Sequence, residues 1–130
     1  MPLVLYVLDT FAWIEYFKGS ESGRKARDYV EGKETTTPSV VIAEFTDKYV
    51  REKMNPSENL TFIKNRSIIA DLDYLVAELA GRLTAQRKAK VKGWGLVDSI
   101  VLSTARARKT QVVTGDEHFR DLDEEVIMIV

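Results

Sequence analysis

Four carboxylates stand where chain geometry can bring side chains together. Asp9 directly follows an uncharged apolar run, Glu44 lies near the start of a helical pattern, Asp98 falls in the first turn of another, and Asp116 sits just past a β-branched run. Gathered in one cleft, such groups repel one another and cost stability unless a cation neutralises them. The chain has no cysteine and a single histidine, His118, which excludes thiolate chemistry and any site needing several imidazoles. A metal would therefore be a hard cation held by oxygen, and such a cluster selects Mg²⁺ or Mn²⁺. Ions of this kind activate water and stabilise the charge on a phosphodiester under in-line attack. Taken singly, each acid has a plainer reading: Asp9 and Asp98 as helix-start residues, Glu44 as a rim residue reaching water, Asp116 after Gly115 as turn chemistry.

The elements that must position these acids can be read along the chain. The run Leu3 to Leu8 carries no charge, which suits a strand covered on both faces at the centre of a parallel sheet. Asp9 then sits at its carboxyl end, where ligands of open α/β sheets bind. Thr10 caps a helix carrying Trp13, Ile14 and Phe17 on one side, stopped by Gly19 and Ser20. A second helix over about 22–30 has thin apolar content, and a short strand over 34–37 precedes Pro38. The third helix, about 39–53, has Val41, Ile42, Phe45 and Tyr49 as its buried side, with Glu44 bordering the core. A short helix to about 65 and a strand over 67–70 follow. Asp71 is read as the cap of a long helix over about 72–88, with Leu75, Val76, Leu79, Ala80 and Leu83 at helical spacing. After a corner at Gly93, Trp94 and Gly95 come a helix over 96–109, a strand over 111–114, a turn carrying His118, and a last strand over 126–130. Strands separated by helices throughout imply a three-layer α/β/α sandwich with a central parallel sheet.

Length and charge set further bounds. A chain of 130 residues, 45% hydrophobic and 30% charged, reads as one soluble domain over residues 1–130. The first apolar run has no preceding Lys or Arg and is broken by Asp9 and Glu15. It reads neither as a signal peptide nor as a membrane span, so a cytoplasmic protein is expected. The net charge is −1, yet between Leu79 and Gly115 the sole acid is Asp98, against the bases Arg82, Arg87, Lys88, Lys90, Lys92, Arg106, Arg108 and Lys109. This segregation suits a polyanionic partner, a solvated helix face being the plainer reading. Arg87, Lys88, Lys90 and Lys92 lead through Gly93 to Asp98 and are the expected phosphate contacts. Trp94 either stacks on a nucleic-acid base or anchors the turn.

The segments VLDT with Asp9, VIAEF with Glu44, GLVDSIVLSTARA with Asp98, and VVTGDEHF with Thr114, Asp116 and Phe119 give the chain its resemblance. It resembles the PIN-domain family, and within it the small ribonuclease toxins of VapBC-type toxin-antitoxin pairs. The segments keep the family's order and span nearly the whole chain. The resemblance implies a Mg²⁺- or Mn²⁺-dependent ribonuclease acting on single-stranded RNA, with Asp9, Glu44, Asp98 and Asp116 as its acidic set and a cognate antitoxin that covers the cleft. Asp9 and Asp98 are expected as direct metal ligands, with Glu44 and Asp116 completing the shell or holding its waters. Thr114 is expected to orient the Asp116 carboxylate or a water. The family often has Ser or Asn two places after its first Asp, where this chain has Phe11. His118 is expected at the surface, Phe119 beneath the loop, and a two-fold homodimer through Tyr16, Tyr29 and Val30. A housekeeping RNA-processing nuclease and a catalytically weak or inactive protein- or RNA-binding module are the alternatives. A phosphoacceptor domain needs adjacent acids after its first strand and a lysine after its last, and the chain has neither.

Overall fold

The computed structural model describes residues 5–130; Leu3 and Val4 of the expected first strand lie outside them. Five strands form one parallel sheet: β1 (Leu5–Leu8), β2 (Glu34–Pro38), β3 (Ile68–Ala70), β4 (Val112–Thr114) and β5 (Val126–Met128), in the order β3-β2-β1-β4-β5. Among the described residues six helices connect them, α1 (Thr10–Lys18), α2 (Glu21–Gly32), α3 (Ser39–Arg51), α4 (Ser57–Arg66), α5 (Tyr74–Arg87) and α6 (Leu96–Ala107), completing the expected three-layer α/β/α sandwich. A 3-10 turn spans Glu117–Phe119.

β1 is central, as its lack of charge requires: Val7 and Leu8 are fully buried between β2 on one side and β4 on the other. The strand order reverses at β1, because the chain leaves it first towards β2 and later returns on the opposite side. A crevice opens at the carboxyl end of a strand where this happens, and Asp9 stands there. β2 is rich in threonine rather than aliphatic residues, and the buried hydroxyls of Thr35 and Thr37 find partners while that of Thr36 has none among the described residues. Thr35 donates to Ser67 Oγ at 2.9 Å, Thr37 and Ser67 share a bond of 2.8 Å, and the Trp13 indole donates to Thr37 at 3.0 Å.

α1 starts on its Asp9 cap and ends at Gly19, whose φ of 66° is the left-handed value that favours glycine at a helix end. α2 crosses α1 closely enough that a Cβ on Gly23 would lie 1.9 Å from the Glu15 carbonyl oxygen. α5 packs on α6, and α6 lies against β1, β2 and β4. The start of α5 differs from expectation: Asp73, not Asp71, caps it, accepting from Val76 N at 2.8 Å, and the helix begins at Tyr74. Two aspartates two residues apart compete for one cap, and the partner amide decides. Val76, Ala80 and Leu83 are buried as expected, whereas Leu75 and Leu79 are 61% and 43% exposed.

Candidate active site

Backbone geometry places each of the four acids. Asp9 is the extended residue between β1 and α1; its Oδ1 accepts from Ala12 N at 2.9 Å and its Oδ2 accepts from the Thr114 hydroxyl. Glu44, in the second turn of α3, accepts from the Thr10 hydroxyl at 2.6 Å. Asp98, in the first turn of α6, accepts from Gly95 N at 2.9 Å. Asp116 caps the 3-10 turn by accepting from His118 N at 2.9 Å. All four line one cleft of about 350 Å³, together with Phe11, Lys18, Lys48 and Arg51.

The electrostatics are those of crowded acids. Burial pushes the Asp9 carboxyl from its ordinary 3.8 up to about 7, with bonds from Thr114 and Ala12 opposing the rise and the charges of Asp116 and Asp98 adding to it. Glu44 and Asp98 are also raised, first by loss of solvent around the carboxyl and further by Asp116. The charge is thus under-compensated by the protein's own cations.

Thr114 is buried at the end of β4 and joins two of the acids. Its hydroxyl donates to Asp9 and accepts from Asp116 N at 3.0 Å. It therefore orients the Asp9 carboxylate and the Asp116 backbone, where the sequence suggested the Asp116 carboxylate. His118, expected at the surface, turns inward: Nδ1 lies 3.5 Å from Asp98 Oδ2 and 3.3 Å from Asp116 Oδ1. That nitrogen is buried and has no hydrogen-bond partner. Asp98, Asp116 and His118 can each offer one ligand atom within 4.8 Å of the others. Oxygen donors in excess of cations, with one orphaned ring nitrogen beside them, fit a divalent cation.

Other sequence readings are decided by burial and pairing. Trp94 is 2% exposed, with its indole donating to Ser99 Oγ at 2.7 Å and its ring 5.0 Å from that of Phe119, so it is the anchor of the turn. Arg87 is buried, its guanidinium paired with Asp121 at 2.8 Å, and is not presented to solvent. Arg82 and Arg106 of the same basic tract pair with Glu78 and Glu125. Phe119 is buried beneath the loop as expected. Phe11 fills the place of the family's polar residue and forces its neighbour: a Cβ on Gly115 would meet Phe11 Cε1 at 2.2 Å and Val130 Cγ2 at 2.5 Å.

The chain belongs to the PIN domain family, whose profile matches residues 6–125. Its structure is similar to that of a toxin-antitoxin complex from Klebsiella pneumoniae (TM-score 0.75, 17% identity, covering 96% of this chain and 98% of that one). It is also similar to VapBC2 from Rickettsia felis bound to a promoter DNA fragment (TM-score 0.70, 20% identity, 95% and 96% covered). A third similar structure is VapC20 from Mycobacterium tuberculosis, a toxin that cleaves the sarcin-ricin loop (TM-score 0.72, 14% identity, 90% and 94% covered). No similar sequence was found among curated proteins.

Proposed function

We propose that this protein is an endoribonuclease that cleaves single-stranded RNA with Mg²⁺ or Mn²⁺ and serves as the toxin of a toxin-antitoxin pair. The observation that carries the reading is the cleft itself: Asp9, Glu44, Asp98 and Asp116 converge there, and burial raises the carboxyl pKa of the first three. Asp9 and Asp98 are the proposed metal ligands; Glu44 and Asp116 complete the shell. A divalent cation at this point supplies the positive charge that activates water for in-line attack on a phosphodiester. The chain's own residues hold that chemistry in place. Thr114 fixes the Asp9 rotamer, Thr10 fixes Glu44, and the amide of Gly95 fixes Asp98. Lys18, Lys48 and Arg51 on the cleft wall attract the RNA backbone.

The toxin role and the antitoxin partner rest on the family and on the similarity to toxin-antitoxin complexes. An antitoxin segment bearing arginine suits under-compensated carboxylates, because a guanidinium binds them in bidentate fashion. We take all 130 residues as one cytoplasmic nuclease domain; no helix among the described residues is long and apolar enough to cross a membrane.

The test is cleavage of end-labelled single-stranded RNA. Cuts are expected with Mn²⁺ or Mg²⁺, none in EDTA, and none from a folded Asp98→Asn variant in any buffer. RNA that is bound but left intact by the metal-loaded wild type would replace the nuclease with a binding module.

A further inference from the structure

The loop that presents Asp116 and His118 is held from outside the cleft by a residue the sequence placed in an RNA-binding tract. Arg87 ends α5 with its side chain 10% exposed. Its Nη2 donates to Asp121 Oδ1 at 2.8 Å and to the His118 carbonyl at 3.1 Å, and its Nη1 donates to Asp121 Oδ2 at 3.1 Å. The guanidinium carbon lies 4.1 Å from the centre of the Trp94 ring. Trp94 is fixed in turn by Ser99 Oγ, which also accepts from Thr84 Oγ1 at 2.7 Å. One planar cation thus joins the end of α5, the tryptophan of the Gly93 corner and both ends of the 118–121 segment.

The same segment is closed on its inner side. Gly93 has a φ of 87°, and a Cβ there would lie 2.6 Å from His118 Nε2. The imidazole rests against bare backbone while its other nitrogen faces Asp98 and Asp116. Tilting the segment would move His118, the Asp116 cap and the Asp98–His118 separation together.

We infer that Arg87 is a positioning residue for the candidate active site: its guanidinium fixes the 118–121 segment, and through it the placement of Asp116 and His118 relative to Asp98. This deepens the nuclease reading and rests on it for the metal-dependent readouts only. Lysine at this position keeps the charge but cannot span Asp121, a carbonyl and a ring at once, since a fixed planar fork is what those three partners require. Disturbing a residue that orients metal ligands commonly costs about tenfold or more in metal affinity or activity.

The experiment compares wild type, Arg87→Lys and Asp121→Asn. The first readout is amide hydrogen exchange at His118 and Phe119 in metal-free protein, whose N–H groups bond to the Asp116 side chain and carbonyl at 2.9 and 3.1 Å. Exchange should quicken about tenfold at these two amides, with the core strands unchanged. The second readout is Mn²⁺ affinity by calorimetry, expected about tenfold weaker. The third is RNA cleavage, where kcat should fall with KM and the salt dependence of binding unchanged. Wild-type exchange in a folded Arg87→Lys protein would overturn the inference. If Arg87→Lys does not fold, Asp121→Asn decides: Asp121 is 56% exposed at its side chain, and unchanged exchange there overturns the inference. Failure of the wild type to bind Mn²⁺ would strike the metal reading while leaving the exchange result to judge Arg87.

Discussion

Asp9 concentrates the tension of the site, because it is held by two donors and yet buried without a cation. Its carboxyl titrates near 7 in the folded protein against an ordinary 3.8. A raised carboxyl pKa means the folded state keeps a proton that the unfolded state has released, so stability falls as pH rises from about 4 to about 7. The full gap corresponds to ~4 kcal/mol. Asp9→Asn cannot ionise and keeps the capping oxygen, but it weakens the bond from Thr114. We expect it to stabilise the metal-free protein by about 1–3 kcal/mol at pH 8 and by almost nothing at pH 4. Chemical unfolding in EDTA at the two pH values checks this, and a loss of stability at pH 8 would make Asp9 a structural cap alone. The four acids were legible in the sequence because element ends dictate where they point. His118 and Arg87 were not, since what turns each inward lies far off in the chain: Gly93 and Asp98 for the imidazole, Asp121, 34 residues on, for the guanidinium.

Among the elements, the cations that line the cleft sit on helices other than those the charge pattern suggested. In the tract from Arg82 to Lys109, Arg87 is buried against Asp121, Arg82 and Arg106 pair with Glu78 and Glu125, and Lys90 and Lys92, though exposed, do not line the cleft. The end of α1 and the last turns of α3 bring Lys18, Lys48 and Arg51 to the cleft wall. Each is paired with a neighbouring acid, Glu15, Glu52 and Asp47 in turn, at 3.5, 3.5 and 3.1 Å, and solvent-exposed pairs of this kind are weak enough for a phosphate to compete. Replacing Lys48 and Arg51 by alanine should weaken binding to all single-stranded sequences alike. It should also reduce the log-log salt slope by about 0.7 per lost contact. The Lys90→Ala, Lys92→Ala protein should retain the wild-type slope in fluorescence anisotropy; the opposite outcome would return the RNA path to the Gly93 corner. Order and type of the strands and helices were readable because each change of hydrophobic period announces an element. The outward face of α5 was not, because leucines at helical spacing look the same whether the helix buries one stripe or two.

At the scale of the whole molecule, that outward face is the surface on which we propose that a second copy docks. The expected dimer residues are engaged: Val30 is fully buried, Tyr16 bonds Glu31 at 2.8 Å and packs on Trp13, and Tyr29 packs edge-on against Tyr6. The exposed apolar side chains instead include Ile68 on the edge strand, Leu72 in the loop after it, and Leu75 and Leu79 on α5. Exposed leucines on one helix favour burial against a partner, and we propose self-association through a two-fold axis as the means. Light scattering is expected to give about twice the chain mass of 14.8 kDa, and Leu75→Lys with Leu79→Lys should return the single-chain value. A wild type that is monomeric at micromolar concentration would rule the dimer out. The contact between Phe11 and Gly115 has a consequence for how this sequence can change with time. Val130 is exposed and can turn aside, whereas the Phe11 ring is partly buried against the core and yields less readily. A side chain at Gly115 is therefore accepted more readily once Phe11 has become small, which favours one order of the two substitutions, and Gly115→Asn should cost less stability in a Phe11→Ser background than in this one, as thermal melts of the two proteins would show.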